Sequence, residues 1–124
     1  MSINEQIGLS VFFHMLYELN KGLRTLSLLT TSEKNVGLIM EQLEKCKYDS
    51  IVETLQSGYV NIFFGKPDSV NVIRSFRKTT LRDFTLEEDF ILGVLLGYNK
   101  DQQCKRYLTR KSGRAPVESQ AAAL

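Results

Sequence analysis

The sequence of 124 residues has few of the side chains that bind metals or form cross-links. It contains one histidine and two cysteines. Cys46 and Cys104 lie far apart and form no CxxC motif, so the chain has no disulfide framework. One histidine and two separated cysteines do not supply the four ligands of a typical structural zinc site. We therefore predict no metal and, because no cofactor-binding motif is present, no cofactor.

Long apolar runs are also missing. The most apolar segment, Phe90–Tyr98, is about half as long as the roughly 20 residues that a membrane-spanning helix needs. The sequence has no N-terminal segment in which basic residues precede an apolar run, as a secretory signal requires. These absences predict a reduced, cytoplasmic protein that does not enter a membrane.

No catalytic motif stands out. Gly65–Ser69 links a predicted strand to a predicted helix, but it lacks the second glycine and the Lys-Ser/Thr pair of a phosphate-binding loop. His14 has only Glu18 as a nearby carboxylate, which is typical of an inert surface histidine. We expect Cys46 and Cys104 to pack against the core. An enzyme whose site is assembled from residues distant in sequence remains an alternative.

Hydrophobic periodicity predicts the order α-β-α-β-β-α-α-α. The first helix carries an apolar stripe around Phe12 and ends at Gly22. The first strand is Leu23–Thr30, and Ser57–Gly58 joins two further strands in a hairpin. The first two strands are expected to pair in parallel through a crossover helix. We predict an α+β fold with a small three-stranded sheet, containing one crossover helix and one hairpin, flanked by about five helices.

The C-terminal half is predicted to be helical as far as Lys111. Thr85 and Glu88 have the spacing of a capping box and begin a helix that extends through Tyr98. The last helix, from Gln102 to Lys111, is expected to pack through Cys104, Tyr107 and Leu108. Residues 1–111 thus form a single α+β domain. Residues 112–124 are predicted to be a disordered tail whose last residues resemble vector-derived sequence.

The apolar segment Phe90–Tyr98 contains two glycines four residues apart, which would share one helix face. Each glycine costs about 1 kcal/mol relative to alanine inside a helix, and a close backbone approach would offset that cost. The approaching element is either the protein's own sheet or a second copy of the chain. Because a small domain covers such a helix poorly, we predict a homodimer. The residues assigned to dimer contact or close helix packing are Phe90, Gly93, Val94 and Gly97.

Charge is distributed unevenly along the chain. Residues 66–114 hold eleven Lys and Arg and six Asp and Glu, a net charge of +5, within a total of +2. We assign a basic surface to Arg74, Arg77, Lys78, Arg82, Lys105, Arg106 and Arg110. A basic half without a catalytic motif favours a non-enzymatic interaction protein that binds an acidic protein partner. A solvated face without a partner is the simpler interpretation of the same charges.

The last two helices suggest a second kind of partner. A helix, a short turn at Asn99–Asp101 and a basic helix resemble a helix-turn-helix, so a nucleic-acid-binding module that uses the last helix is an alternative. Gln103 and Arg106, however, stand where that motif normally has buried aliphatic residues. Nucleic acid is therefore less favoured than a protein partner.

Two stretches carry a resemblance to a known family. They are FFHMLYELNKGLRTLSLLT, from Phe12 to Thr30, and DFILGVLLGYNKDQQCKRYL, from Asp89 to Leu108. With the order of elements, they resemble a small uncharacterised bacterial family that covers nearly all of the chain up to Lys111. The resemblance implies an α+β domain of three strands and five helices that forms homodimers. Genes of this family often lie near a flavodoxin gene, which implies a strongly acidic protein such as a flavodoxin as a partner.

Overall fold

The computed structural model describes residues 1–78 and 80–113. Within them five α-helices and three strands form, which confirms the predicted α+β class. The predicted tail falls outside the described residues except for Ser112 and Gly113, which form a turn. The elements are α1 (Ile3–Asn20), β1 (Leu26–Ser32), α2 (Val36–Lys45), β2 (Asp49–Thr54), β3 (Tyr59–Gly65), α3 (Pro67–Ser75), α4 (Leu86–Leu95) and α5 (Lys100–Lys111), with short 3₁₀ turns at Glu33–Asn35 and Leu81–Asp83.

The strands are arranged in the order β1-β3-β2, and β3 pairs antiparallel with both neighbours. The predicted direct parallel pairing of the first two strands is therefore wrong. All residues of β3 after Tyr59 are buried, and a strand buried on both faces is most stable where both edges are paired as well. β3 therefore takes the centre, and β1 and β2 become the two edges of the sheet.

The predicted hairpin between β2 and β3 is confirmed. Ser57 and Gly58 both have left-handed backbone conformations, with φ of 63° and 78°. Two successive positive φ values define a type I′ turn, whose twist matches that of the flanking strands. The Tyr59 N–H donates to the Gln56 carbonyl at 3.4 Å, and the Leu55 N–H donates to the Tyr59 carbonyl at 2.8 Å. The turn thus fixes the register of β2 against β3.

Two separate hydrophobic cores cover the two faces of the sheet. α1 and α2 pack on one face, where Phe12 and Ile39 are fully buried against Phe64. α3 and α4 pack on the other, where Val70 and Leu92 are buried with Phe63. Because side chains alternate along a strand, β3 supplies both cores from adjacent residues. In α3 the inward valine is Val70, whereas Val72 is exposed.

α4 is shorter than predicted, because it ends at Leu95 instead of continuing to Tyr98. Gly97 has a φ of 84°, and its N–H donates to the Val94 carbonyl at 3.0 Å. The Tyr98 N–H donates to the Gly93 carbonyl at 3.1 Å. These two bonds form a Schellman motif, in which glycine adopts the left-handed conformation that ends a helix. Gly97 therefore lies after the helix. The capping box of Thr85 and Glu88 at the other end is confirmed.

The central position of β3 yields a prediction at its last residue. A Cβ added to Gly65 would lie 3.0 Å from Leu26 Cα and closer still to the backbone of Thr25, so β1 would have to shift. We expect Gly65→Ala to lower the free energy of unfolding by about 2 kcal/mol, as overpacking does, measured by urea denaturation. Gly37→Ala in α2 is the control, because outside its own helical backbone no described atom lies within 4 Å of its added Cβ. Equal stability of the two variants would contradict this account of the β1–β3 contact.

Candidate functional site

A buried ion pair joins α4 to α5. Arg106 is 7% exposed and Asp89 is 6% exposed, and Arg106 Nη1 donates to Asp89 Oδ2. Arg110 Nη1 donates to the same oxygen at 3.2 Å. Because a buried carboxylate needs compensating charge, two arginines of α5 turn towards α4. Arg106 is therefore not part of the accessible basic surface to which the sequence assigned it, and Arg110 is only partly accessible.

The close approach at Gly93 is made by α5. A Cβ on Gly93 would lie 2.8 Å from Gln103 Cδ, and Gln103 is buried. The neighbour of Gly93 is thus neither the sheet nor a second copy, the two elements that the sequence suggested. Phe90 packs on Tyr107 with ring centroids 5.5 Å apart, and Val94 is partly buried. Of the residues predicted for close packing, only Gly97 is exposed, and no described atom lies within 4 Å of its added Cβ.

The last turn of α5 is also bound to α4. Lys111 Nζ lies 2.9 Å from Glu87 Oε2, and the Tyr107 hydroxyl donates to the same oxygen at 2.7 Å. Hydrogen bonds from Lys111 and Tyr107 lower the pKa of Glu87 to about 2, so its carboxylate is ionised throughout the neutral range. The Glu87 carboxylate also raises the pKa of Lys111. The basic side chains of α5 that would bind nucleic acid thus largely contact acidic groups of their own chain.

The outward face of α5 differs from the predicted one. Cys104 is exposed and Leu108 is 63% exposed, so the prediction that they pack against the protein is wrong. The packed face consists of Gln103, Arg106, Tyr107 and Arg110, because Asp89 attracts the arginines and Tyr107, as predicted, packs on Phe90. Lys105 is also exposed and pairs with Asp101 at 3.1 Å. Cys46, by contrast, is half-buried and packs against the core between α1 and α2.

Four basic residues follow one another in sequence from the last turn of α3 to the 3₁₀ turn Leu81–Asp83, and we call them the α3 basic cluster: Arg74, Arg77, Lys78 and Arg82. Arg74 Nη1 lies 3.1 Å from Asp49 Oδ2, and this hydrogen bond lowers the pKa of Asp49. Lys78 Nζ lies 2.7 Å from Glu88 Oε1 and lowers the pKa of Glu88. Arg77 and Arg82 are exposed and form no ion pair with any described residue.

A polar groove runs along the end of β2 beside this cluster. Its volume is about 510 Å³, and its lining residues are Glu53, Thr54, Leu55, Gln56, Thr80 and Arg82. A neighbouring groove of about 350 Å³ extends the surface over Asn61 and Leu81. Glu53 is 8% exposed, and its Oε1 accepts a hydrogen bond of 3.0 Å from Asn61 Nδ2. This nearly buried carboxylate was not among the residues predicted for a site, because its charge alone does not distinguish it from other glutamates.

The outer face of α1 carries exposed apolar side chains that the sequence analysis missed. Ile3, Ile7 and Val11 follow at intervals of four residues, and all are exposed. Phe13 and Tyr17 add aromatic surface on the same helix. A helix that is apolar on both sides normally has a partner on both sides. The available signal was the spacing of Ile3 and Ile7 with Val11, which is itself the first residue of the apolar stripe used to place the helix and is exposed.

Other candidate chemistry finds little support in the geometry. His14 is exposed, and its Nε2 lies 3.6 Å from Glu18 Oε1. Among residues 1–78 and 80–113 no three His, Cys, Asp or Glu side chains come close enough to hold a metal ion. No described helix has the length and apolar character needed to cross a membrane.

Comparison with known sequences places this arrangement in a family. A family model described as "Protein of unknown function (DUF2023)" matches residues 10–110. The chain belongs to this family. The resemblance to a family of unknown function is thereby confirmed over residues 10–110, from within α1 to within α5. A search of curated proteins returned no significant match.

The Asp89 cluster is tested by neutralising its carboxylate. Asp89→Asn removes the charge that compensates the buried Arg106, and breaking a buried pair in this way costs about 3–5 kcal/mol. We expect a loss of that size in the free energy of unfolding, measured by urea denaturation monitored by circular dichroism. Asp101→Asn is the control, because the Lys105–Asp101 pair is 75% exposed on both sides and contributes little. A similar stability of both variants would show that Asp89 does not fix α5.

Proposed function

We propose that this protein is a non-enzymatic, cytoplasmic accessory protein that binds an acidic protein partner through the α3 basic cluster. The observation that carries the proposal is the exposure of Arg77 and Arg82 without an ion pair to any described residue. Most other basic side chains of the C-terminal half contact carboxylates of the chain itself. Guanidinium groups bind carboxylates with paired hydrogen bonds, so an acidic protein surface complements them.

The nature of the partner follows from charge and from the resemblance. An acidic partner would be steered to the cluster by long-range attraction, which salt weakens. The resemblance to a family whose genes often lie near a flavodoxin gene supports a flavodoxin as that partner. A flavodoxin encoded in the same genome is therefore the first candidate to test.

The alternatives are less well supported. A nucleic-acid-binding module would use α5, but Arg106 and Arg110 contact Asp89, and Lys111 contacts Glu87. These contacts would have to break before α5 could bind phosphate groups. An enzyme would need a nucleophile or an acid–base pair in a pocket, and His14, Cys46 and Cys104 line none of the grooves along β1 and β2.

The homodimer remains a proposal, but we now propose α1 and β1 as its interface. α4 is largely covered by its own chain, and of its apolar side chains only Ile91 is exposed, by 38%. α1 lies over the edge strand β1, and a groove between them is lined by Ile7, Val11 and Leu29. A twofold axis beside β1 would pair β1 with its copy antiparallel and bring α1 against its copy on the same side.

Charge reversal within the α3 basic cluster tests the partner. We expect the double variant Arg77→Glu with Arg82→Glu to weaken binding to the flavodoxin at least tenfold by isothermal titration calorimetry at low salt, because attraction becomes repulsion. The matched control is Lys45→Glu with Lys47→Glu, which changes the charge equally on the α2 side of the sheet. Lys47 has a φ of 61°, close to the 57° of Arg77.

Two outcomes of this binding experiment would contradict the proposal. If both double variants weaken binding equally, only the net charge of the protein matters and the α3 basic cluster is not the binding surface. If the unmodified protein binds no flavodoxin at low salt, that partner is wrong.

Light scattering tests the dimer. We expect a particle of about twice 14.2 kDa for the unmodified protein, and a monomer for Ile7→Glu, because a charge would enter the apolar contact. Ile7 is 56% exposed in the single chain, so the monomer tolerates the change. Ile91→Glu on α4 is the control and should remain dimeric. If Ile91→Glu gives a monomer and Ile7→Glu does not, the dimer interface lies on α4.

A further inference from the structure

The outer edge of β2 presents unpaired backbone groups. Residues of an antiparallel strand point their backbone alternately towards and away from the neighbouring strand. The Leu55 N–H donates to the Tyr59 carbonyl of β3, so Glu53, two residues earlier, also faces β3. Val52 and Thr54 therefore direct their N–H and C=O groups outwards. No described strand pairs with this edge.

One end of the edge is closed and the other is open. Arg74 Nη2 donates to the Ser50 carbonyl at 3.4 Å, and Arg74 also pairs with Asp49. A long side chain therefore occupies the start of β2. Beyond it, from Glu53 onward, the polar groove follows the strand, with Thr80 and Arg82 also lining it. An added strand would fit between these two sides.

A row of polar side chains across the sheet ends at this edge. The Thr30 hydroxyl donates to Asn61 Oδ1 at 2.6 Å, and Asn61 Nδ2 donates to Glu53 Oε1 at 3.0 Å. Asn61 and Glu53 are each 8% exposed. All donors of the row point in one direction, so it ends on a carboxylate at the side where a fourth strand would lie. A hydrogen-bond donor at that position would continue the row.

The opposite face of the edge has a different character. Val52 is 40% exposed and points away from Glu53, because side chains alternate along the strand. A neighbouring strand would therefore meet an apolar side chain on one face. On the other face it would meet Glu53 and the cationic Arg82. The two faces together favour an occupant in which apolar and polar residues alternate.

We propose that the open edge of β2 binds an extended segment of the acidic partner as a fourth, antiparallel or parallel strand. Apolar residues of the segment cover Val52, a hydroxyl-bearing residue donates to Glu53, and a carboxylate pairs with Arg82. Main-chain hydrogen bonds to Val52 and Thr54 supply affinity, as in other proteins that bind peptides by strand addition. The acidity of the segment rests on the proposed function, whereas its extended form rests on the edge.

The probe is an acetylated, amidated peptide, Thr-Val-Glu-Val-Thr-Val-Glu, titrated into ¹⁵N-labelled protein. We expect the amide signals of Val52 and Thr54 to shift and their hydrogen exchange to slow. The amides of Leu28 and Thr30 on the β1 edge serve as internal controls and should not change. The same peptide with Lys in place of each Glu should bind more weakly, because Arg82 then repels it. Unchanged Val52 and Thr54 amides, or equal changes at both edges, would overturn the proposal.

Two variants separate backbone pairing from charge. Val52→Pro removes an outward N–H and keeps an apolar side chain, and proline is tolerated where an edge strand faces solvent. We expect it to weaken peptide binding about fivefold, the value of one net hydrogen bond of about 1 kcal/mol. Arg82→Gln on the exposed rim should weaken the Glu peptide but not a version with Gln in place of Glu. Because Arg82 is exposed, Arg82→Gln tests the proposal even if Val52→Pro fails to fold. If the unmodified protein binds the Glu peptide and the Gln peptide with equal affinity, the proposal is contradicted.

The outcome is separable from that of the proposed function. Flavodoxin binding that depends on Arg77 and Arg82 but leaves the Val52 and Thr54 amides unprotected would retain the acidic partner and reject strand addition. Peptide binding at the edge without any flavodoxin binding would retain strand addition and reject that partner.

Discussion

The burial of β3 on both faces and both edges is the constraint on which the rest of the structure depends. Every residue after Tyr59 in this strand is buried, so its backbone groups need partners on each side. β2 comes from the adjacent hairpin, and β1 comes from the N-terminal side. Because three strands cannot close into a barrel, β1 and β2 each keep one free edge, and a free edge is either protected or used.

A second constraint acts at the C-terminal end, where Asp89 is buried between α4 and α5. Burying an ionised carboxylate is unfavourable unless opposite charges and hydrogen bonds compensate it. Arg106 and Arg110 provide this compensation, and α5 is rotated so that its polar side faces α4. The apolar Leu108 is left outside as a consequence. Here the electrostatic requirement of one buried group outweighs the burial of one leucine, which contributes about 1.5–3 kcal/mol.

These two constraints explain what the sequence could and could not predict. The Ser57–Gly58 turn and the Thr85 capping box depend on nearby residues, and both were predicted correctly. The position of β3 depends on pairing between distant strands, which hydrophobic alternation does not specify. The exposed face of α5 was predicted wrongly because hydrophobic periodicity considers only apolar residues. The orientation of α5 about its own axis is instead set by Asp89, seventeen residues before Arg106. The role of Gly97 was predicted wrongly because a glycine four residues after Gly93 can either end the helix or pack inside it, and the spacing is the same in both cases.

The distribution of surface chemistry suggests a division between the two edges. The edge at β1 lies under the apolar α1 face, and a self-complementary contact needs no net charge, so it suits a second copy of the chain. The edge at β2 lies beside Arg82, which would repel the same residue of a symmetry-related copy across a β2–β2 contact but attract an acidic partner. Since the edges lie on opposite sides of the sheet, a dimer formed through β1 would keep both β2 edges free. Two partner sites on one particle would raise the effective affinity for a partner that is itself clustered or dimeric.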